Sequence, residues 1–580
     1  MGQPGRVGSG GDLLVETLAR RGVECIFGFP GDTSIALYDA LQRRPESVRH
    51  ILARDERHAG FMADAYTRTT GRLGVCEASS GAGAVYLASG LGEALASSIP
   101  ILAITTDNST LSAGTSAISE VDQDALFAAC TKWRKTAGDV SQIPALVDEA
   151  IKVANAGRPG PAALIIPENV LETLVDLRPS ESAALDAVVR SEPSVADAAT
   201  LAAARDLLAT SERPCIVAGG GLHLSQAWPQ LRQLAERGAI PVATTIHGKG
   251  ALDEGHPLAL GVMGSNGARP YANSWVTASD CVVFVGTRAN GTDTLSFTVP
   301  PRDGSVQTIH IDKDADRAGR NYPEGLPLIG DAAGILAQLA DLLPPANETI
   351  CTTRWAELAD ARTAWCHSHD DRSSRADEET LHPREVTMTL ASVLGGDTWV
   401  TADAGTPTPY LSCYWEAPGD GWRVVIPRGH GPMGYAIPAA IGVAIGHPGS
   451  RVLCLTTENS LAMAVSEWGT ANRLGLPILF VVLDNVSMCW IKMIQHLYSG
   501  KRYFGVDPEP IDPVLLAQGM GLRATRAANL QQLARLTHEW KSAPDPYVVH
   551  VRVPEHMEAP PPVASWEAAL SGQQLTRPIH

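Results

Sequence analysis

Eight short runs rich in Val, Ile and Leu recur along the 580-residue chain: ILAITT from 101, AALIIP from 162, CIVAGG from 215, CVVFVG from 281, TIHID from 308, RVLCLTT from 451, PILFVVLDN from 477 and YVVHVRV from 547. Longer amphipathic stretches separate them. A strand that is apolar on both faces has no solvent side, and helix-length connections return the chain to the same edge. The pattern therefore predicts parallel sheets covered by helices on both faces. One core does not serve a chain this long; about 100–200 residues per domain allows three to five units. Polar and Pro/Ser-rich stretches at 178–196 and 344–382 read as linkers. They leave three doubly wound α/β domains at 1–185, 190–345 and 375–555, and a Pro-rich tail at 556–580 that reads as a wrapping or partly ordered extension. No short internal repeat is found, but the first and third units share an order of strand, Gly-rich turn and helix.

Charge narrows the partners. Lys and Arg number 46 against 63 Asp and Glu, a net charge of −17 that repels phosphate backbones and anionic membranes, so nucleic acid is not expected. The opening MGQPGRVGSGG lacks the apolar core of a signal peptide, and no run approaches the roughly 18 apolar residues of a span. A cytoplasmic protein is expected. Ten cysteines, without a CxxC pair and partly within apolar runs, indicate neither zinc nor a disulfide framework.

Three groups of residues carry chemistry. In the first unit, IFGFPGDTSIALYDAL from 26 reads as a strand, a Gly-Pro-Gly turn and a helix; RDERHAGFMADAYTRTTG from 54 and SSGAGAVYLASGL from 79 follow. In the third, GHGPMGYAIPAAIG from 429 reads as a turn and an apolar helix, ahead of LTTENSLAMAVSEWGTA from 455 and the strand that ends in Asp484 and Asn485. The second contains PVATTIHGKGALDEGHPLALGVMGSNG from 241 and TIHIDKDADRAGRNYP from 308.

Over roughly 12–555 these motifs resemble the acetolactate synthase branch of the thiamine diphosphate enzymes. The resemblance implies pyrimidine-binding, central and diphosphate-binding domains in that order. It places Glu56 where the family's glutamate hydrogen-bonds the cofactor's pyrimidine ring and makes it basic enough to deprotonate the thiazolium C2. In the family that glutamate acts across a subunit interface, which implies a homodimer or homotetramer. Gly431 takes the place whose backbone carbonyl accepts from the pyrimidine amine, and Met433 that of the apolar side chain between the two rings, a proximity device. Gly405 and Thr406 belong with the cofactor-binding set. Glu458, Asn485 and the Ser487 carbonyl fall on the family's Mg2+ ligands. Asn459, Ser460 and Leu461 open the helix whose N–H groups would face the diphosphate.

The chain also departs from the family. The triplet GDG is Thr457-Glu458-Asn459, and the first Asn of the NN pair is Asp484. Ile118 and Ser119 replace a Phe-Gln pair, while Thr292 and Ile494 replace an Arg and a Trp that select the second 2-oxo acid. The resemblance thus implies decarboxylation of a 2-oxo acid such as pyruvate, with transfer of the acyl carbanion to another carbonyl acceptor. Simple decarboxylation and a degenerate, non-catalytic homologue stay open. So does FAD in the central domain, since the flavin-contacting stretch is altered to GTRANGTDTL from 286 and the glycines 219–221 are equally explained by a tight turn. Asp32 either transfers a proton, as in pyruvate-decarboxylase-like relatives, or it or Thr33 caps a helix that begins at Ser34. His58 and His430 either meet substrate or bond locally. Glu56 and Met433 have plainer readings too, as a charged helix start and as core filler.

Overall fold

The computed structural model describes residues 7–177, 196–370, 380–419 and 421–572. All eight apolar runs are strands, within three six-stranded sheets whose pairings are all parallel. Numbered along each domain, the N-terminal and C-terminal sheets both run 2-1-3-4-6-5, so their shared local order extends to the whole topology. The central sheet runs 3-2-1-4-5-6, the dinucleotide-binding order, and its switch point lies between Pro214–Ala218 and Cys281–Val285.

Two compact units emerge. One gathers the N-terminal domain with 427–448 and 464–474; the other holds the central domain and the rest of the C-terminal domain. In the first, helix Glu56–Thr70 starts where the Asp55 side chain accepts from Arg57 N, and stops at Gly71 in the left-handed region. It crosses helix Ala82–Ser97 at a pair of glycines: a Cβ on Gly60 would lie 2.9 Å from the Gly90 Cα. Its neighbour Ala436–Gly446 is apolar all round and buried along ten of its eleven residues, as a helix enclosed on every side must be.

In the second unit, a buried cluster ties the central domain to helix Pro407–Tyr414. Glu254 pairs with both Lys249 and Arg269 at 2.5 Å, and these cations donate to the Ser412 and Cys413 carbonyls. That helix follows the turn carrying Gly405 and Thr406.

The linker expectation needs correction at 344–382, where 348–370 is a 23-residue helix whose scattered apolar residues hide the helical period. The other predicted linker lies, but for residue 196, outside the described residues. The described part of the tail packs: Val563 and Trp566, the latter in helix Ala564–Leu570, form a small core with Met493. Among the described residues, no helix is long and apolar enough to cross a membrane. All ten cysteines are unpaired, eight of them buried.

Candidate active site

The first unit holds Asp32, Glu56, Gly431 and Met433. Glu56 is the first residue of its helix and 9% exposed. No side chain of another described residue hydrogen-bonds to it. Burial raises its pKa above the carboxylate range, with the Asp55 and Glu77 charges adding to the effect. Its space is preserved by Gly83, where a Cβ would sit 2.9 Å from Oε1. Unforeseen from sequence is Glu77, fully buried in strand Gly74–Ala78, which accepts from the Tyr38 hydroxyl and keeps one oxygen without a partner. Its signal was present: a carboxylate inside GVCEA breaks an apolar strand.

The turn carrying Gly431 hangs on a second unforeseen carboxylate. Glu93 accepts from the backbone N–H groups of Gly429 (3.1 Å), His430 (2.7 Å) and Gly431 (3.2 Å), from Ser97 Oγ and from Arg68, which also pairs with Asp64. Tyr435 donates to the same Asp64. Gly431 at φ 68° bends the turn in a way that only glycine adopts without strain. Replacing Glu93 with Ala leaves three N–H groups and a buried guanidinium short of an acceptor, and is expected to cost about 3–5 kcal/mol, read as a lowered urea midpoint; Glu93→Gln, which can still accept, is expected to lose less.

The cap expectation near Asp32 is corrected. A 3-10 turn covers Asp32–Ser34 and the α-helix starts at Ile35. Thr33 Oγ1 turns instead to Thr106 (2.6 Å) and Ser80 (3.3 Å), while Asp32 is exposed. His58 is a buried partner of Glu467 at 3.0 Å, so it bonds locally; His430 is exposed, its ring against Gly92. Ser119 lies in the left-handed region, its Oγ 2.9 Å from Ser80 Oγ, and Ile118 is 93% exposed.

The second unit gathers Gly405, Thr406, Glu458, Asn459, Ser460, Leu461, Asn485 and Ser487. Strand Val452–Thr457 delivers Glu458, and strand Ile478–Asp484 delivers Asn485. Between Asn485 and Ser487, Val486 adopts φ 57°, costly for a β-branched residue, and strain of this kind collects at working sites. The Asn485 amide lies 2.7 Å from Ser487 O and 3.0 Å from Glu458 Oε1. With its NH2 toward them it donates to both; with its oxygen there, three oxygens converge as hard-cation ligands do. Glu458 Oε2 is buried without a hydrogen-bond partner. Burial, with Asp484 adding, pushes the Glu458 carboxyl up to about 8. Donor set and orphaned oxygen both fit a divalent cation.

The departures have local explanations. Asp484 accepts from His550 Nε2 (2.8 Å) and Arg552 (3.0 Å) on the neighbouring strand; burial opposes its ionisation, yet these partners hold its pKa below the ordinary value. Thr457 Oγ1 takes the Ser460 N–H at 3.3 Å, so that N–H is not free as expected, and Leu461 packs in the core of a helix only seven residues long. Thr406 Oγ1 lies 2.9 Å from His556 Nε2, a buried tail residue that sequence reasoning missed, its imidazole kept neutral by burial with a pKa of about 3. Ile494 packs under the tail, and the Thr292 carbonyl accepts from Ser265 N.

In the central domain a Cβ on Gly220, at the switch point, would lie 3.6 Å from the Trp422 indole, and that ring stacks on His223 at 5.0 Å. The glycine turn is thus covered by the chain's own indole.

Comparison with known proteins identifies three family models along the chain: the N-terminal TPP binding domain of thiamine pyrophosphate enzymes at 8–126, their central domain at 201–339 and their C-terminal TPP binding domain at 403–551. Similar curated proteins include an acetolactate synthase of Arthrospira platensis, 30% identical over 96% of both chains. The acetolactate synthase isozyme 2 large subunit of Escherichia coli K12 is 30% identical over 94% of this chain and 96% of its own. A probable acetolactate synthase large subunit of Methanococcus aeolicus is 29% identical over 93% and 91%.

Proposed function

The chain belongs to the thiamine pyrophosphate enzymes, and on that premise we propose that it decarboxylates a 2-oxo acid, pyruvate foremost, and transfers the acyl carbanion to a carbonyl acceptor other than a second pyruvate. The observation that carries this reading is Glu56: a buried carboxylate that no neighbouring side chain satisfies, in a space kept open by Gly83, is costly unless a ligand completes it. Thiamine diphosphate, when bound, supplies the carbon nucleophile and electron sink that decarboxylation requires. Glu56 would share a proton with the cofactor's pyrimidine ring. The Gly431 carbonyl would accept from its amine, and Met433 would hold its rings together. Glu458, Asn485 and the Ser487 carbonyl would hold Mg2+, and Gly405, Thr406, Asn459, Ser460 and Leu461 would line the diphosphate.

A second copy of the chain completes each site in this reading, as a homodimer or homotetramer. Supporting it, Val85 and Tyr86 on helix Ala82–Ser97 are 47% and 55% exposed, and Ile35 and Ile118 are more so. Such apolar exposure marks an interaction face. A cytoplasmic location fits the absence of a spanning helix among the described residues. FAD is not part of the proposal, because a dinucleotide would have to displace Trp422 from the glycine turn.

Ile118, Ser119, Thr292 and Ile494 stand where the branch grips its two substrates, so little or no acetolactate is expected from pyruvate alone. A screen of pyruvate with aldehydes and ketones, with a colorimetric acetoin assay after acid treatment, tests the point. Robust acetolactate would overturn the acceptor reading. Free aldehyde without ligation would favour simple decarboxylation, to which the exposed Asp32 lends support.

A further inference from the structure

The Asn459 amide donates to Glu458 Oε1 at 2.8 Å and to Ser487 O at 3.2 Å. These are two of the three oxygens assigned above to the cation, and the inference rests on that assignment. One NH2 group bridging a carboxylate and a carbonyl neutralises their mutual repulsion, the service a cation would perform. The glycine expected at this position carries no such group, so a bridge from residue 459, beside the one that the Asn485 NH2 can make to the same two oxygens, is particular to this chain. It is also partial, because Glu458 Oε2 remains without a partner.

We propose that Asn459 is a built-in substitute for the cation, closing the metal site when metal and cofactor are absent and withdrawing when they enter. Mg2+ holds its oxygen ligands at about 2.0–2.1 Å, and a cation taken up by Glu458 Oε1 and the Ser487 carbonyl would compete with the amide nitrogen that lies against both oxygens. Metal entry on these two oxygens would therefore weaken both hydrogen bonds. The bridge weakens cation affinity and stabilises the empty site. Asn459 thereby acts as a positioning residue for Glu458 and tunes how much metal the protein needs before it takes up the cofactor.

The test compares the wild-type chain with Asn459→Ala and with the isosteric Asn459→Asp, which removes the NH2 donor without opening space. Free Mn2+ is read by electron paramagnetic resonance in saturating thiamine diphosphate, and the metal-free proteins are melted in chelator. Both variants are expected to bind Mn2+ about tenfold tighter, and Asn459→Ala to melt lower than wild type when metal-free. Equal or weaker Mn2+ affinity in Asn459→Ala overturns the proposal, since Asn459 would then be a bystander or a ligand. If none of the three proteins binds Mn2+, the metal assignment itself fails and the substitute role falls with it.

Discussion

Glu56→Gln is expected to slow turnover by about 10²–10⁴, the usual worth of a positioned acid–base group, while leaving the fold and cofactor affinity nearly intact. Glutamine keeps the length and polarity of the side chain, so the helix start capped by Asp55 and the contact with Gly83 survive. What it loses is the exchangeable proton. Burial and the neighbouring Asp55 and Glu77 raise the Glu56 pKa, which favours a shared proton over a bare carboxylate. Single-turnover decarboxylation measured beside thiamine diphosphate titration separates the two effects. Retention of more than half the activity would remove Glu56 from the mechanism.

Glu458→Ala is expected to abolish the metal-dependent part of thiamine diphosphate affinity, by no less than about 10²-fold, since residues one shell further out already cost 10–100-fold. A diphosphate brings two to three negative charges beside a carboxylate, and without a bridging cation the site repels its own ligand. Chelation should therefore release the cofactor from the wild type. Thr457→Gly should keep metal-dependent binding, because Thr457 serves only to cap the Ser460 N–H. Equilibrium dialysis with and without chelator reads all three. Equal binding in both conditions would contradict the metal assignment.

What was legible in the sequence follows from burial. Strands covered on both faces can be apolar throughout, and each of the eight apolar runs is such a strand inside its sheet. The edge strands Trp133–Thr136 and Arg523–Ala527 face solvent and carry Arg and Lys, so no run announced them. Helix 348–370 was masked because its apolar residues follow no helical stripe. In the site, the residues proposed to hold cofactor and metal lie in motif turns that the sequence displays, whereas Glu77, Glu93 and His556 lie outside them. Each is a polar group far in sequence from what it serves: Glu93 is more than 330 residues from the turn it holds, and only folding brings them together. The consequence of Asn459 was likewise invisible, since a lost glycine says that space is filled and not which oxygens the new side chain will bridge.

The central claim, that this chain is a working 2-oxo acid decarboxylase with the acyl group passed onward, is tested most directly by following ¹³CO₂ release from carboxyl-labelled pyruvate. The account predicts release that requires both thiamine diphosphate and a divalent cation, rises when a carbonyl acceptor is added, and drops to near background in Glu56→Gln. Tight thiamine diphosphate binding without CO₂ release from pyruvate or any other 2-oxo acid would contradict it.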